Sequence, residues 1–309
     1  MNRKADRDRI LIRSSWVSTI GNAILSAVKM WIGFISGSLA VIGDGIDSAT
    51  DVIISIAMLF TAKIVNKPPS TRYPFGYEKA ESIATKILSM IIFYAGIQML
   101  ISSVQNIFSG EARELPGIMA IYVTVFSILG KLALALYQYR QGRRAGSPML
   151  TANAKNMRND VIISLGVLVG LFFTFVLDMA VLDSVTGLVI SLFIIRSAIG
   201  IFLDSNAELM DGVSDLSVYD DIFEAVDQVR GASNPHRVRS RQIGTMYMIS
   251  LDIEVDSDIT LNQAHDIAEA VEKSIILKIG NVYDIVVHVE PSNVAHPQEK
   301  FGVDKKTIK

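Results

Sequence analysis

Long apolar runs fill the first two thirds of the chain. A bilayer core about 30 Å thick needs roughly 20 largely apolar residues to cross it as one helix. Six runs qualify, at about 14–36, 39–63, 82–108, 116–138, 157–178 and 182–203. They predict a membrane all-α bundle of six transmembrane helices within residues 1–210. The start, MNRKADRDRI, has no small-residue cleavage site, so we expect the first run to be a retained helix.

From about Asp211 the pattern changes to short amphipathic segments. LSVYDDIFEAVDQV and TLNQAHDIAEAVEKSIIL have helical periodicity, and Thr260 can cap the second. HRVRSRQIG, MYMISLDIEV and VYDIVVHVEP alternate like strands, with Gly244 and Thr245 between the first two. The order α-β-β-α-β predicts a small ferredoxin-like α+β domain over 211–292, with its helices on one face of a short sheet. The polar residues 293–309 are predicted to form a disordered tail.

Basic residues are distributed unequally among the links between the apolar runs. The second link carries Lys63, Lys67, Arg72 and Lys79, and the fourth carries Arg140, Arg143, Arg144 and Lys155. The links FSGEARELP and VLDMAVLD carry one basic residue and none. Because basic loops stay on the cytoplasmic side, both chain ends and the α+β domain are predicted to be cytoplasmic. We expect a multi-pass protein of a bacterial-type cytoplasmic membrane, in contact with the lipid bilayer.

Overall composition excludes several kinds of site. The net charge of −2 indicates no nucleic-acid partner. The chain has no cysteine, which excludes disulfides and thiolate metal ligands. All four histidines lie after residue 230, outside the apolar runs.

Three aspartates interrupt the second apolar run. Asp44, Asp47 and Asp51 are spaced i, i+3 and i+7, which places them on one face of a helix. A charged residue at mid-membrane costs about 2.5–3.5 kcal/mol, so protons, a basic partner or a bound cation must compensate. Lys131 and Arg196 are the candidate basic partners. Asp44, near the start of the run, is predicted to be a cap or an interface residue.

The fifth run opens with a second polar pair. Asn156 and Asp160 are spaced i, i+4 and share one helix face. If the second and fifth helices pack together, these two residues and Asp47 and Asp51 supply four oxygen ligands. The pattern alone allows metal binding, proton handling, a selectivity ring of a cation channel, or a membrane-embedded metal-dependent hydrolase.

Particular motifs resemble the cation diffusion facilitator family over nearly the whole chain. They are IDSATD, NMRND, the entry SGSLAVIGDGIDS and the loop YPFGYEKAES. The resemblance implies a homodimeric transporter rather than an enzyme, with no catalytic cofactor. It also implies a transport site made of Asp47, Asp51, Asn156 and Asp160.

Metal preference follows from one departure from the family pattern. Zinc-transporting members commonly have a histidine where this chain has Asn156. Three carboxylates and an amide form a hard oxygen site, which disfavours zinc relative to a histidine-containing site. We therefore expect Mn²⁺ to be favoured, with Fe²⁺, Zn²⁺, Co²⁺ and Cd²⁺ as alternatives. Export by metal/proton antiport is the expected mechanism, with protons competing for the carboxylates.

The resemblance implies two further features. A second metal site in the cytoplasmic domain, able to stabilise the dimer or regulate transport, is expected at His236, Asp252, His265, His288 and Glu290. Lys79 and Asp211 are expected to form an interlock between the third and sixth helices. Tyr73 and Tyr77 stand where some members have loop histidines, so no metal site is expected there.

Overall fold

The computed structural model describes residues 2–65, 67–77, 79–109, 114–145, 147–213, 215–243, 246–292 and 302–305. Six long helices come first: α1 Asn2–Ser36, α2 Leu39–Val65, α3 Lys79–Phe108, α4 Met119–Ala145, α5 Pro148–Val176 and α6 Val181–Leu209. Within the described residues, all of these except α2 are identified as long and apolar enough to cross a membrane. Helix α2 has 27 residues and carries the three aspartates. The predicted membrane helix bundle is confirmed.

Helix α5 begins well before its apolar run. Ser147 caps it by accepting a hydrogen bond from the Leu150 amide, and Pro148 occupies the first turn, where proline costs no hydrogen bond. The helix therefore starts about two turns earlier than the expected span at residue 157. As a result, Asn156 and Asp160 lie inside α5 and not at its opening.

Contacts between residues divide the chain into two compact units. The first comprises Met1–Lys63 and Ala84–Phe202, and the second comprises Ile64–Ile83 and Leu203–Lys309. In the first unit, α1 and α2 approach closely at Gly45. A Cβ atom there would lie 2.7 Å from Met30 Cγ and 3.1 Å from the Met30 nitrogen. A larger residue at this position would force Met30 to shift, so glycine favours this approach, and Ser26 Oγ donates a 3.1 Å hydrogen bond to the Gly45 carbonyl.

The second unit contains the predicted α-β-β-α-β sequence of elements. They are α7 Ser217–Asp227, β1 Ser233–Ile243, β2 Met246–Val255, α8 Leu261–Ile279 and β3 Val282–Pro291. The strand order is β1-β2-β3; β1 and β2 are antiparallel, and β2 and β3 are parallel. Buried side chains of β2, such as Leu251 and Ile253, share one core with α7 and α8. Gly244 and Thr245 lie outside the described residues.

Part of the C-terminal tail is ordered, contrary to the expectation of disorder. Val303 and Val238 exchange two backbone hydrogen bonds, of 3.1 and 2.9 Å, and Lys305 forms an ion pair with Asp227. Strand β1 is an edge strand with open backbone groups, and Val303 also packs on the hydrophobic core. These contacts order residues 302–305. Residues 293–301 and 306–309 lie outside the described part of the chain.

Candidate metal centres

Asp44 is the first polar residue of the α2 face, and it is fully buried. Its Oδ2 lies 2.7 Å from Lys29 Nζ of α1, and the two side chains are 1% and 0% exposed. Ser164 Oγ of α5 donates to Asp44 Oδ1 at 2.8 Å. Asp44 therefore joins α1, α2 and α5 as an interface residue, and it is not a helix cap. Its charge is already balanced by lysine.

Asp51 and Asn156 line one cavity of about 140 Å³ within the first unit. The cavity brings together the α2 and α5 faces that the sequence pairs, and α1 closes its third side. Its lining is mostly polar: Ser18, Thr19, Asn22, Asp51, Val52, Ile54, Ser55, Asn153, Asn156 and Met157. Such a cavity is both roomy and polar enough for a hydrated or partly hydrated ion.

Asp160 connects Asp51 with the interior of the bundle. The charge of the Asp160 carboxyl acts on Asp51. The charge of Asp160 also acts on Asp47, so the three acids form one electrostatic cluster. A proton or a metal cation would relieve the repulsion among them.

Lys131 of α4 is the basic partner that reaches this cluster. Its Nζ lies 3.0 Å from Asp160 Oδ2, and the lysine is buried. Arg196, the other predicted partner, is exposed on α6. Lys131 was expected to pair with the aspartates of α2. Its ion-pair partner is instead Asp160 of α5.

Helix α1 contributes a polar stripe that our sequence analysis missed. The stripe consists of Ser14, Ser18, Asn22, Ser26 and Lys29, and all five side chains are buried. They recur every three or four residues, which places them on one helix face. A search for polar periodicity within an apolar run would have found the stripe, and with it Lys29.

The second cluster lies on the open face of the sheet in the other unit. Strand register places His236 beside Asp252, and Asp252 beside His288, in one row across β1, β2 and β3. Ligand atoms of His236, Asp252 and Glu290 lie within 4.8 Å of one another. His236 Nε2 is 3.3 Å from Glu290 Oε2, and His288 Nε2 is 3.4 Å from Glu290 Oε1.

Surrounding groups orient the ligands of this second cluster. His236 Nδ1 lies 2.8 Å from the Asn234 carbonyl. If Nδ1 carries the proton and donates there, Nε2 is left facing the carboxylates. Burial raises the pKa of the Asp252 carboxyl, and the Arg237 guanidinium, 3.0 Å from Asp252 Oδ2, opposes that rise. A metal ion at this cluster would compete with Arg237 for Asp252.

His265 does not join the second cluster within one chain. It lies on α8 with 70% of its side chain exposed, and its Nε2 is 3.4 Å from Glu269 Oε1. Helix α8 packs on the core face of the sheet, whereas alternation along β2 places Asp252 on the opposite face from Leu251 and Ile253. The sheet therefore separates His265 from the other four residues.

Lys79 and Asp211 make the contact expected of an interlock. Lys79 Nζ lies 2.7 Å from Asp211 Oδ1 and 3.3 Å from the Leu209 carbonyl. Both side chains are more than 40% exposed, at 44% and 42%. Water therefore screens the pair, so its contribution to stability is small.

The bundle of long apolar helices defines a multi-pass membrane protein, with a polar cavity that Asp51 and Asn156 line. The profile of the cation efflux transmembrane domain matches residues 15–210, and that of the cation efflux cytoplasmic domain matches residues 215–292. The chain belongs to the cation efflux, or cation diffusion facilitator, family and is a metal cation efflux transporter. This class of protein is a transporter family, which fits the non-enzyme expectation.

Curated relatives resemble the chain over most of its length. The manganese efflux system protein MneS of Bacillus subtilis is 32% identical over 278 residues, covering 89% of this chain and 93% of that protein. MneP of the same organism is 27% identical and covers 93% and 98%. The metal-bound C-terminal domain of the CzcD transporter from Thermotoga maritima aligns with 26% of this chain and 94% of that domain, at 37% identity and a TM-score of 0.26.

Proposed function

We propose that the chain exports Mn²⁺ in preference to other divalent cations, in exchange for protons. Asp47, Asp51, Asn156 and Asp160 are the proposed transport ligands. The observation that carries the proposal is the polar cavity that Asp51 and Asn156 line together, with the charge of Asp160 acting on Asp51. Two relatives named as manganese efflux proteins support the choice of metal.

Ligand chemistry supports manganese at this site. The four side chains offer three carboxylates and one amide oxygen, and no nitrogen or sulfur ligand. Mn²⁺ accepts all-oxygen coordination, whereas Zn²⁺ gains from imidazole or thiolate. Zn²⁺, Fe²⁺, Co²⁺ and Cd²⁺ are the alternative cargoes, each with the same mechanism.

The crowding of acids in this cluster supports proton exchange. A metal that takes Asp51 and Asp160 as ligands must displace any proton bound to their carboxyl groups. When the site faces outward, protons can return to the acids and weaken their hold on the metal. Alternating access would come from movement of α2 and α5 against the other helices.

Flux into proteoliposomes tests the metal and the coupling together. We expect wild-type protein to move Mn²⁺ faster than Zn²⁺, and an imposed pH gradient to drive the movement. Asn156→His should shift the preference toward Zn²⁺, while Asn106→His, which adds an imidazole outside the cavity lining, should not. Undiminished flux in Asp47→Asn/Asp51→Asn would exclude this site. Flux that ignores the pH gradient would exclude antiport.

For the cytoplasmic unit we propose a homodimer in which His236, Asp252, His288 and Glu290 bind a regulatory metal. His265 can belong to this site only if the second chain supplies it. The three-residue cluster within 4.8 Å supports this role. His236→Ala should lower the metal bound per chain without abolishing flux. Equal metal content in wild type and variant would refute the second site.

The proposed orientation places both chain ends in the cytoplasm. Its support is the excess of basic residues in the second and fourth links. Labelling of single introduced cysteines from each side of sealed cells is a direct test, since the natural chain has none. Labelling of the FSGEARELP link from outside, with protection of residues near Lys67, is the expected pattern.

A further inference from the structure

Lys131 is the only lysine or arginine of the described ion pairs that contacts a proposed transport ligand. It lies in the apolar stretch of α4, is 1% exposed, and its ammonium is 3.0 Å from Asp160 Oδ2. A charged lysine at membrane depth costs about 2.5–3.5 kcal/mol even on insertion scales. The contact with Asp160 offsets part of that cost.

The charge of Lys131 reaches the whole ligand cluster. It acts on Asp47 and on Asp51 as well as on its direct partner Asp160. Lys29, the other lysine that is fully buried among the described residues, pairs directly with Asp44, which is not a proposed ligand, and its charge acts on Asp47 more weakly than that of Lys131. The two lysines therefore have different roles, although they are equally buried.

Charge balance links Lys131 to the valence of the cargo. When all are ionised, three ligand carboxylates and one ammonium give the site a net charge of −2, which one divalent cation neutralises. Without the ammonium the same ligands would match a trivalent cation. With it, a trivalent ion would leave excess buried positive charge, and a monovalent ion would leave excess negative charge.

We propose that Lys131 is a tethered cation that occupies Asp160 between transport cycles and sets the site's preference for divalent metals. The inference rests on the proposed function of the four ligands. An arriving metal displaces the ammonium from Asp160. Because the lysine stays attached to α4 nearby, it continues to repel the bound metal, which limits affinity and favours release.

Metal binding to purified full-length protein tests this role through charge selectivity. The measurement is the dissociation constant for Mn²⁺ and for Gd³⁺, by calorimetry in one detergent. Lys131→Gln removes the charge but retains a hydrogen-bond donor for Asp160, and Lys131→Met removes both. We expect both variants to raise the Gd³⁺ preference over Mn²⁺ by about tenfold or more, because a full charge is lost beside the metal. Lys131→Arg should keep the wild-type ratio.

Lys29→Gln is the matched control, since it removes an equally buried lysine from a carboxylate outside the ligand set. It should shift the Gd³⁺ to Mn²⁺ ratio much less than Lys131→Gln. An unchanged ratio in Lys131→Gln, or an equal shift in the two glutamine variants, would overturn the assignment. If Lys131→Met does not fold, the glutamine variant alone decides.

Wild-type binding separates this inference from the proposed function. Suppose that Asp51→Asn loses Mn²⁺ binding and that Lys131→Gln keeps the wild-type Gd³⁺ to Mn²⁺ ratio. That pair of results would refute only the role of Lys131. Wild-type Mn²⁺ binding that is unaffected by Asp51→Asn would refute the transport site itself.

Discussion

Lys29→Met should destabilise the protein strongly, because it leaves the Asp44 carboxylate buried without its cation. The ion pair is 2.7 Å long and both side chains are almost fully buried. Lys29 Nζ also lies 3.0 Å from Ser164 Oγ and 3.3 Å from Ser48 Oγ, so the substitution removes two further contacts. Breaking such a pair from one side typically costs about 3–5 kcal/mol.

A double-mutant cycle isolates the pair. Asp44→Asn keeps the shape of the carboxylate and the hydrogen bond from Ser164, and Lys29→Met/Asp44→Asn removes both charges together. Since neutral replacements leave no uncompensated charge, the double variant should lose less stability than the two single losses added together. We expect a coupling energy of about 2 kcal/mol or more.

Equilibrium unfolding in a fixed detergent mixture measures all four proteins. The free energy of unfolding should fall most in Lys29→Met and recover in part in the double variant. A loss of less than about 1 kcal/mol in Lys29→Met would show that water or a proton reaches Asp44. Additive losses would show that the two residues do not stabilise each other, and either result refutes the reasoning.

Three other expectations concern the second unit. Thr260→Ala should cost about 1 kcal/mol by chemical unfolding, because Thr260 and Gln263 form a capping box at α8, and Thr260→Ser should retain most of that stability. Lys79→Ala/Asp211→Ala should change the free energy of unfolding by no more than about 1 kcal/mol, since the pair is exposed. The double variant should broaden the distribution of inter-subunit distances measured between spin labels. An unchanged distribution would exclude an interlock. Burial raises the pKa of Asp252, so in metal-free protein the unfolded state loses this proton first. The free energy of unfolding should therefore fall as pH rises from about 4, the pKa of an aspartate in the unfolded chain, to the raised pKa of Asp252 in the folded protein. Thermal unfolding across this pH range measures the effect, and Asp252→Asn should lack it.

Short-range patterns made most of the fold predictable. Apolar runs indicate membrane helices, and alternation at period 2 or 3.6 indicates the α-β-β-α-β order, because each pattern records one buried face. The start of α5 was missed because polar residues at 151, 153, 155 and 156 interrupt the apolar pattern before residue 157. Its signals were instead the Ser147 cap and Pro148, which hydropathy does not register.

Contacts between distant elements were less predictable. Spacing places Asp47 and Asp51 on one face of α2, but it does not say which neighbouring helix supplies a lysine. Lys29 lies on the buried side of α1, and only the close approach at Gly45 brings that helix against Asp44. Similarly, His265 fits a ligand pattern in sequence, yet the sheet places it on the wrong side of β2.

The three aspartates of α2 and Asp160 of α5 differ in how far a lysine compensates their charge. Asp44 has a lysine of its own, whereas Asp160 shares Lys131 with the rest of its cluster. Among the described residues, neither Asp47 nor Asp51 has a lysine or arginine within ion-pair distance. A carboxylate with a lysine of its own gains less from a metal than one that must bind a proton or a cation to remain inside the membrane. The difference in lysine contacts therefore favours a structural role for Asp44 and ion exchange at the proposed ligands, although sequence spacing places all three aspartates of α2 on one face.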